Sequence, residues 1–245
     1  MASMDAALSH TVELSGLRYG WQPDNPLLEI EQLQVARGER LFIYGPSGSG
    51  KSTLLSLLGG LISPQQGRIQ ILGQAMTELG ASARDRFRAD HLGFVFQQFN
   101  LIPYLDPLDN ITLALSFSRL RRQQLGDESP RQAAQRLLSA LELDPDQVAG
   151  QPARQLSIGQ QQRVAVARAL IGKPELIIAD EPTSSLDADS QARFLSLLFE
   201  QCQSQNSTLV FVSHDLRLAD RFDRTLSLTD INRAADSQSS KAIAC

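Results

Sequence analysis

The residues best able to do chemistry stand together at Gly45-Pro46-Ser47-Gly48-Ser49-Gly50-Lys51-Ser52, with Thr53 next in line. Glycines let a backbone wrap closely around a phosphate chain so that successive N–H groups point inward, and a helix opening at Lys51 adds a favourable dipole. Lys51 can neutralise outer phosphates, and the Ser52 hydroxyl can ligate Mg²⁺. The apolar run Leu41 to Tyr44 before the loop, and leucines at helical spacing after it, supply the strand–loop–helix context that this phosphate-loop pattern requires. A glycine-rich surface turn would explain the glycines but not the context.

A second constellation is Leu176-Ile177-Ile178-Ala179-Asp180-Glu181, an apolar strand that delivers two carboxylates at its carboxyl end, where ligands of α/β sheets sit. Asp180 is expected to hold a metal, mostly through water, and Glu181 to polarise an attacking water as general base. Alone, the segment could be a strand ending in a solvated acidic turn. Beside the phosphate loop it reads as the second half of a nucleotide hydrolase. The pair does not choose among kinases, GTPases, helicases and transport motors.

The elements that position these residues follow from periodicity. Thr11 to Tyr19 and Leu28 to Val35 alternate apolar and polar residues and read as strands, as do Leu41 to Tyr44, Arg68 to Leu72, Gly93 to Phe96, Leu176 to Ala179 and Thr208 to Val212, the last strong one. Helical spacing covers Lys51 to Leu61, with Pro64 and Gly67 as its stops, then Ser82 to Ala89, Leu156 to about Ile171, and Ala188 to Gln203. From Pro107 to Leu143 the pattern is helical, broken by the polar stretch Gly126 to Pro130, so a helical lobe is expected. Strands alternating with helices imply an α/β fold with a mostly parallel sheet covered on both faces. From Asn232 onward Ser, Ala, Gln and Asp dominate, and a disordered tail is expected.

At 245 residues the chain holds one domain, or one domain with an inserted lobe. Its 23 basic and 27 acidic residues, a net charge of −4, argue against nucleic-acid binding as the main task. Cys202 and Cys245 form neither a disulfide framework nor a paired metal motif, which fits a reduced, cytosolic setting with Cys245 an exposed thiol. Met1 to His10 shows no secretory signal, and no stretch is apolar enough to span a bilayer. Membrane contact is therefore expected only through a partner. Arg119, Arg121 and Arg122 read as a solvated helix face.

Further strings carry a resemblance. Leu156-Ser157-Ile158-Gly159-Gln160-Gln161-Gln162-Arg163, continuing through Val164 to Leu170, resembles the signature sequence of ABC transporter ATP-binding subunits. The family implies a phosphate-loop NTPase core with an N-terminal antiparallel β region and an inserted helical lobe. Residues of about 11–97 and 160–230 would form the core, and 98–159 the lobe. It also implies that Ser157, Gly159 and Gln160 bind the γ-phosphate of ATP held by a second copy of the chain. Gln97, after Phe94-Val95-Phe96, resembles the glutamine that touches Mg²⁺ and the water. Ser185-Leu186-Asp187 resembles the loop communicating across the dimer, and His214 the switch histidine that contacts the γ-phosphate. Tyr19 corresponds to the aromatic that stacks on adenine, with Trp21 a neighbouring competitor and a half-buried strand residue the plain alternative.

The resemblance runs from about Thr11 to Leu228, with two departures: Ile158 where a glycine is usual, and Ser184-Ser185 where many members have Ser-Ala. Within the family, Gly59-Gly60-Leu61, Ile71-Leu72-Gly73-Gln74 and Phe94 to Pro103 look most like the branch serving lipoprotein release, macrolide export and related envelope exporters. That implies an ATPase on the cytoplasmic face of a membrane, driving a transmembrane permease, in a branch that also admits a periplasmic adaptor. An amino-acid importer subunit is the nearest rival reading. ABC ATPases acting on DNA or ribosomes usually carry coiled-coil arms or two such domains, which 245 residues do not hold.

Overall fold

The structure, a computed structural model, describes residues 10–22, 25–184 and 186–234. Ser185, Cys245 and the expected tail beyond Ala234 lie outside the described residues. The chain divides into two compact units, residues 1–84 with 210–245, and residues 85–209.

In the first unit, β1 (His10–Tyr19) and β2 (Leu28–Ala36) pair antiparallel. Alternation puts Val12, Leu14 and Leu17 of β1, and Leu28, Ile30, Leu33 and Val35 of β2, in the core. After β3 (Arg40–Tyr44) comes α1 (Lys51–Leu58), which stops short of the expected Leu61. Gly60 takes a left-handed φ of 64° there, so the glycine pair ends the helix before Pro64 is reached. The first sheet is completed by β4 (Gln66–Ile71) and β5 (Gln74–Ala75), in the order β2-β1-β4-β5. This antiparallel sheet is the N-terminal β region expected.

A boundary between the units falls within α2 (Ala81–His91), which runs beyond the expected Ala89, and β6 (Leu92–Val95) follows in the second unit. Four helices follow: α3 (Pro107–Ser116), α4 (Arg119–Gln123), α5 (Pro130–Ala140) and α6 (Pro145–Val148). Their starts are written in the sequence. Asp106 caps α3 by accepting the Asp109 N–H, Pro107 and Pro130 occupy first turns, and Ser129 with Gln132 forms a capping box on α5. Buried Leu108, Ile111 and Leu115 of α3 pack against α5 and against α7 (Ile158–Leu170). Then come β7 (Leu176–Asp180), α8 (Ala188–Gln205), which ends on Asn206 in the left-handed region, and β8 (Thr208–Val212). The division between the units falls within β8.

The last elements among the described residues are β9 (Arg224–Ser227) and α9 (Leu228–Ile231), neither foreseen in the sequence. The second sheet has the order β6-β7-β8-β3-β9, with β6 and β7, and β3 and β9, parallel. The all-apolar cores of β3, β7 and β8 fit strands buried on both faces.

One expectation is corrected. Arg121 is not on a solvated face: it is 3% exposed, donates to the Leu92 and Asp90 carbonyls, and burial pulls its guanidinium down to about 10. At the start of the expected tail, Asn232 accepts the Glu29 N–H and donates to the Leu27 carbonyl, and Ala234 is buried.

Gly93 on β6 shows how tightly strand and helix are joined. A Cβ there would lie 2.3 Å from the Ala169 carbonyl oxygen and 2.7 Å from Ile177 Cδ1. No rotamer relieves a clash with backbone, so Gly93→Ala should cost about 1–3 kcal/mol, read as a lower Tm. An unchanged melting temperature would show that β6 and α7 can part freely.

Candidate functional site

The phosphate loop sits between β3 and α1. Gly48 and Gly50 take φ of 79° and 96°, a region open to glycine, and Gly50 is the N-cap of α1. A Cβ on Gly50 would meet Leu28 Cδ2 at 2.8 Å, and one on Gly45 would meet Ser49 Oγ at 2.9 Å. The loop is thus a cradle that side chains would fill. Lys51 is 7% exposed, and its Nζ donates to the Gly45 and Pro46 carbonyls at 2.9 Å each. Among the described residues Ser49 Oγ is buried without a hydrogen-bond partner. An orphaned hydroxyl, a clamped cation and a helix N-terminus within one loop fit an incoming phosphate chain. Pro46 and Ser47 form the exposed rim, Ser52 is exposed on the first turn of α1, and Thr53 follows it.

Two further expected positions belong to this unit. Tyr19 is 8% exposed at the end of β1, edge-on to Trp21 at 5.4 Å, and Trp21 is 69% exposed. Of the two rings, that of Trp21 is the open one and that of Tyr19 is buried. His214 is exposed just past β8, after Ser213, whose N–H donates to the Ile43 carbonyl of β3. Next to it, Arg217 bonds Asp215 and holds its carboxyl below the usual range.

In the second unit the parallel register pairs Val95 with Ala179, so Gln97 and Glu181 leave neighbouring strands at equal height. Asp180 is the first residue of β7 not fully buried. Glu181 has φ 45°, a left-handed backbone for a non-glycine residue. Such strain costs about 1–3 kcal/mol and concentrates at functional positions.

Ser157 caps α7 by accepting the Gln160 N–H, while the Gln160 side chain accepts the Ser157 N–H. Gly159 follows Ile158, which is 54% exposed. Gln162, buried, donates to the Pro182 carbonyl and so ties α7 to the segment after Glu181. Asp187 caps α8 through the Ser190 N–H, which with the Ser190 hydroxyl holds its carboxyl low.

Sequence reasoning missed Asn110 and Arg168. Asn110 is fully buried and closes the turn 102–106 by accepting the Ile102 N–H and donating to the Ile102, Leu105 and Asp106 carbonyls. Arg168 donates to the Phe99 and Asn100 carbonyls. An Asn inside a helix start and an Arg within a polar–apolar helix carry no signal of their own.

A glycine loop that opens a helix in one unit, and a parallel strand ending in two carboxylates in the other, are the two parts of a phosphate-loop nucleotide hydrolase. Residues 28–184 match the family described as ABC transporter, and the chain belongs to it. The chain is an ABC transporter ATP-binding cassette, an ATPase that binds ATP. It is 44% identical over 199 residues, 81% of its length and 84% of the relative's, to the uncharacterized ABC transporter ATP-binding protein YbbA of Escherichia coli (strain K12). It is 38% identical over 231 residues to the macrolide export ATP-binding/permease protein MacB 1 of Yersinia pestis bv. Antiqua (strain Antiqua), covering 93% of this chain but 34% of that one. MJ0796, a Methanocaldococcus jannaschii protein, has been solved as a dimer in a post-hydrolysis state bound to ADP and Pi. That structure superposes with a TM-score of 0.77 at 37% identity, covering 88% of this chain and 93% of that one.

Proposed function

We propose that two copies of this chain close around two ATP molecules and thereby move a membrane-spanning permease of an envelope exporter. The reading is carried by one observation: the phosphate cradle at residues 45–53 and the exposed, Ser157-capped start of α7 occur on a chain 37% identical to one solved as a dimer. In this reading Ser157, Gly159 and Gln160 complete the partner copy's phosphate site, Asp187 communicates across the seam, and His214 contacts the γ-phosphate. The chain works as one cassette, with about 11–97 and 160–230 as core and 98–159 as lobe. Tyr19 and Trp21 together offer the adenine its aromatic surface, the exposed ring being Trp21.

Ser52, Gln97 and Asp180 would hold Mg²⁺, which when bound supplies positive charge against the β- and γ-phosphates. A donor set of a hydroxyl, an amide and one carboxylate suits that ion, which keeps waters and takes its other oxygens from phosphate. Lys51 exchanges the Gly45 and Pro46 carbonyls for phosphate oxygens, and Glu181 accepts the proton of the attacking water.

No helix among the described residues is long and apolar enough to cross a membrane. Placement on the cytoplasmic face through the permease follows from the family role. The exporter branch is supported by the MacB likeness, and a periplasmic adaptor is part of the proposed assembly. Docking is assigned to 99–109, a segment that Asn110 holds in shape and from which Tyr104 projects, 72% exposed.

Paired substitutions Ser49→Cys and Ile158→Cys, in a background with Cys202→Ser and Cys245→Ser, test the seam. Oxidation with ATP present should give an interchain crosslink that is much weaker without nucleotide. Retained ATP binding with no crosslink under any nucleotide condition would rule out the shared seam.

A further inference from the structure

Gln97 stands on a short turn whose shape the local sequence does not favour. The Phe99 N–H donates to the Phe96 carbonyl at 2.9 Å, and the Asn100 N–H to the Gln98 carbonyl at 2.6 Å, so Gln97 and Gln98 are the corner of a reversal directly after β6. Phe99 and Asn100 then take φ of 59° and 49°. Asparagine tolerates the left-handed region, but phenylalanine does so rarely, and two such residues in succession persist only where their surroundings hold them.

Arg168 is that surrounding. Its Nη2 donates to the Phe99 carbonyl at 2.6 Å and its Nη1 to the Asn100 carbonyl at 2.7 Å, so one planar fork spans two consecutive peptide oxygens. Burial draws its guanidinium below the ordinary value, as expected for a cation placed among carbonyls rather than in water. The neighbouring residue, Ala169, is the one whose carbonyl presses on Gly93 of β6. Helix α7 therefore grips the chain on both sides of Gln97, through Gly93 before it and through Phe99 and Asn100 after it. The same helix begins at the Ser157 capping box.

We propose that Arg168 is a positioning residue for ATP hydrolysis, clasping the Phe99 and Asn100 carbonyls so that the turn aims Gln97 and moves with the helix that carries Ser157 to Gln160. The inference rests on the role given to Gln97 above. Lysine, a point charge on a flexible stem, lacks the planar fork that suits two adjacent carbonyls, and methionine provides no donor.

The test uses the full chain with Arg168→Met, Arg168→Lys and, for reference, Gln97→Ala. Steady-state ATPase and hydrogen exchange of segment 97–101 are measured together. Arg168→Met should lower kcat about 10-fold with KM for ATP within about twofold, because positioning is lost while nucleotide binding is not. Exchange should quicken in 97–101 and stay unchanged in 164–167, with Arg168→Lys intermediate in both. Adding Asn100→Gly to Arg168→Met should recover part of kcat, since glycine holds the left-handed backbone without strain.

Unchanged exchange in 97–101, or a kcat loss that Asn100→Gly leaves untouched while Tm falls, would overturn the clasp and leave the Gln97 reading standing. If Gln97→Ala kept full turnover, the Gln97 reading itself would fall, and the catalytic consequence of the clasp with it, even where the exchange data supported the contact.

Discussion

Glu181→Gln should bind ATP as the parent chain does and turn it over about 10²–10⁴ times more slowly, the range in which general-base contributions fall. The amide keeps the size and shape of the carboxylate but cannot take a proton from water. Glu181 leaves β7 with φ 45°, and glutamine bears the same backbone strain, so Tm should stay within a degree or two. Glu181→Gly separates the two burdens. Glycine enters the left-handed region freely, so this variant should melt at or above the parent temperature while losing turnover as Glu181→Gln does. Such a result would mark Glu181 as kept for its chemistry at a cost in stability. Single-turnover phosphate release, with equilibrium nucleotide binding as control, decides the matter; full release from Glu181→Gln would take the general-base role from this residue.

What could be read from the residues alone follows the strength of local signals. β3, β7 and β8 are short apolar runs bounded by turn residues and read as strands buried on both faces, whereas the caps at Asp106 and Ser129 go unread when the helical pattern of 107–143 is taken as a whole. The phosphate loop was legible because its glycines and lysine serve local backbone geometry. β9 was not: Arg224-Thr225-Leu226-Ser227 carries little apolar signal, and it becomes a strand by pairing in parallel with β3 from far along the chain. The end of α1 depended on which of several stop residues acts first, and Gly59 with Gly60 precede Pro64.

Charged residues misled for a related reason. Arg121 sits among Arg119 and Arg122, and composition there suggests a solvated face. Its burial is decided by the Leu92 and Asp90 carbonyls and by the backbone of Gly172, where an added Cβ would lie 2.5 Å from Arg121 Cβ. Arg168 is the same lesson at the site. Both arginines find main-chain carbonyls on distant segments, and nothing in their own neighbourhoods encodes that.

The phosphate loop makes Lys51→Ala the other large effect. Lys51 is the one residue there whose cation is already desolvated, 7% exposed and held at 2.9 Å from two carbonyls. An ammonium so placed loses little further hydration when phosphate arrives, and charge-assisted hydrogen bonds contribute about 1.5–3 kcal/mol each. Removing it should weaken ATP binding by about 10–10²-fold from one such bond, and by more if two phosphates share the charge. Stability should move little, because the freed Gly45 and Pro46 carbonyls lie on a loop whose rim is open to water. Lys51→Arg is the sharper comparison, since it keeps the charge but presents a fork too wide for a cradle in which even a Cβ at Gly45 or Gly50 would collide. It should bind ATP nearly as poorly as Lys51→Ala. Calorimetric titration with ATP checks both, and near-parental affinity for Lys51→Ala would mean that backbone N–H groups alone hold the phosphates.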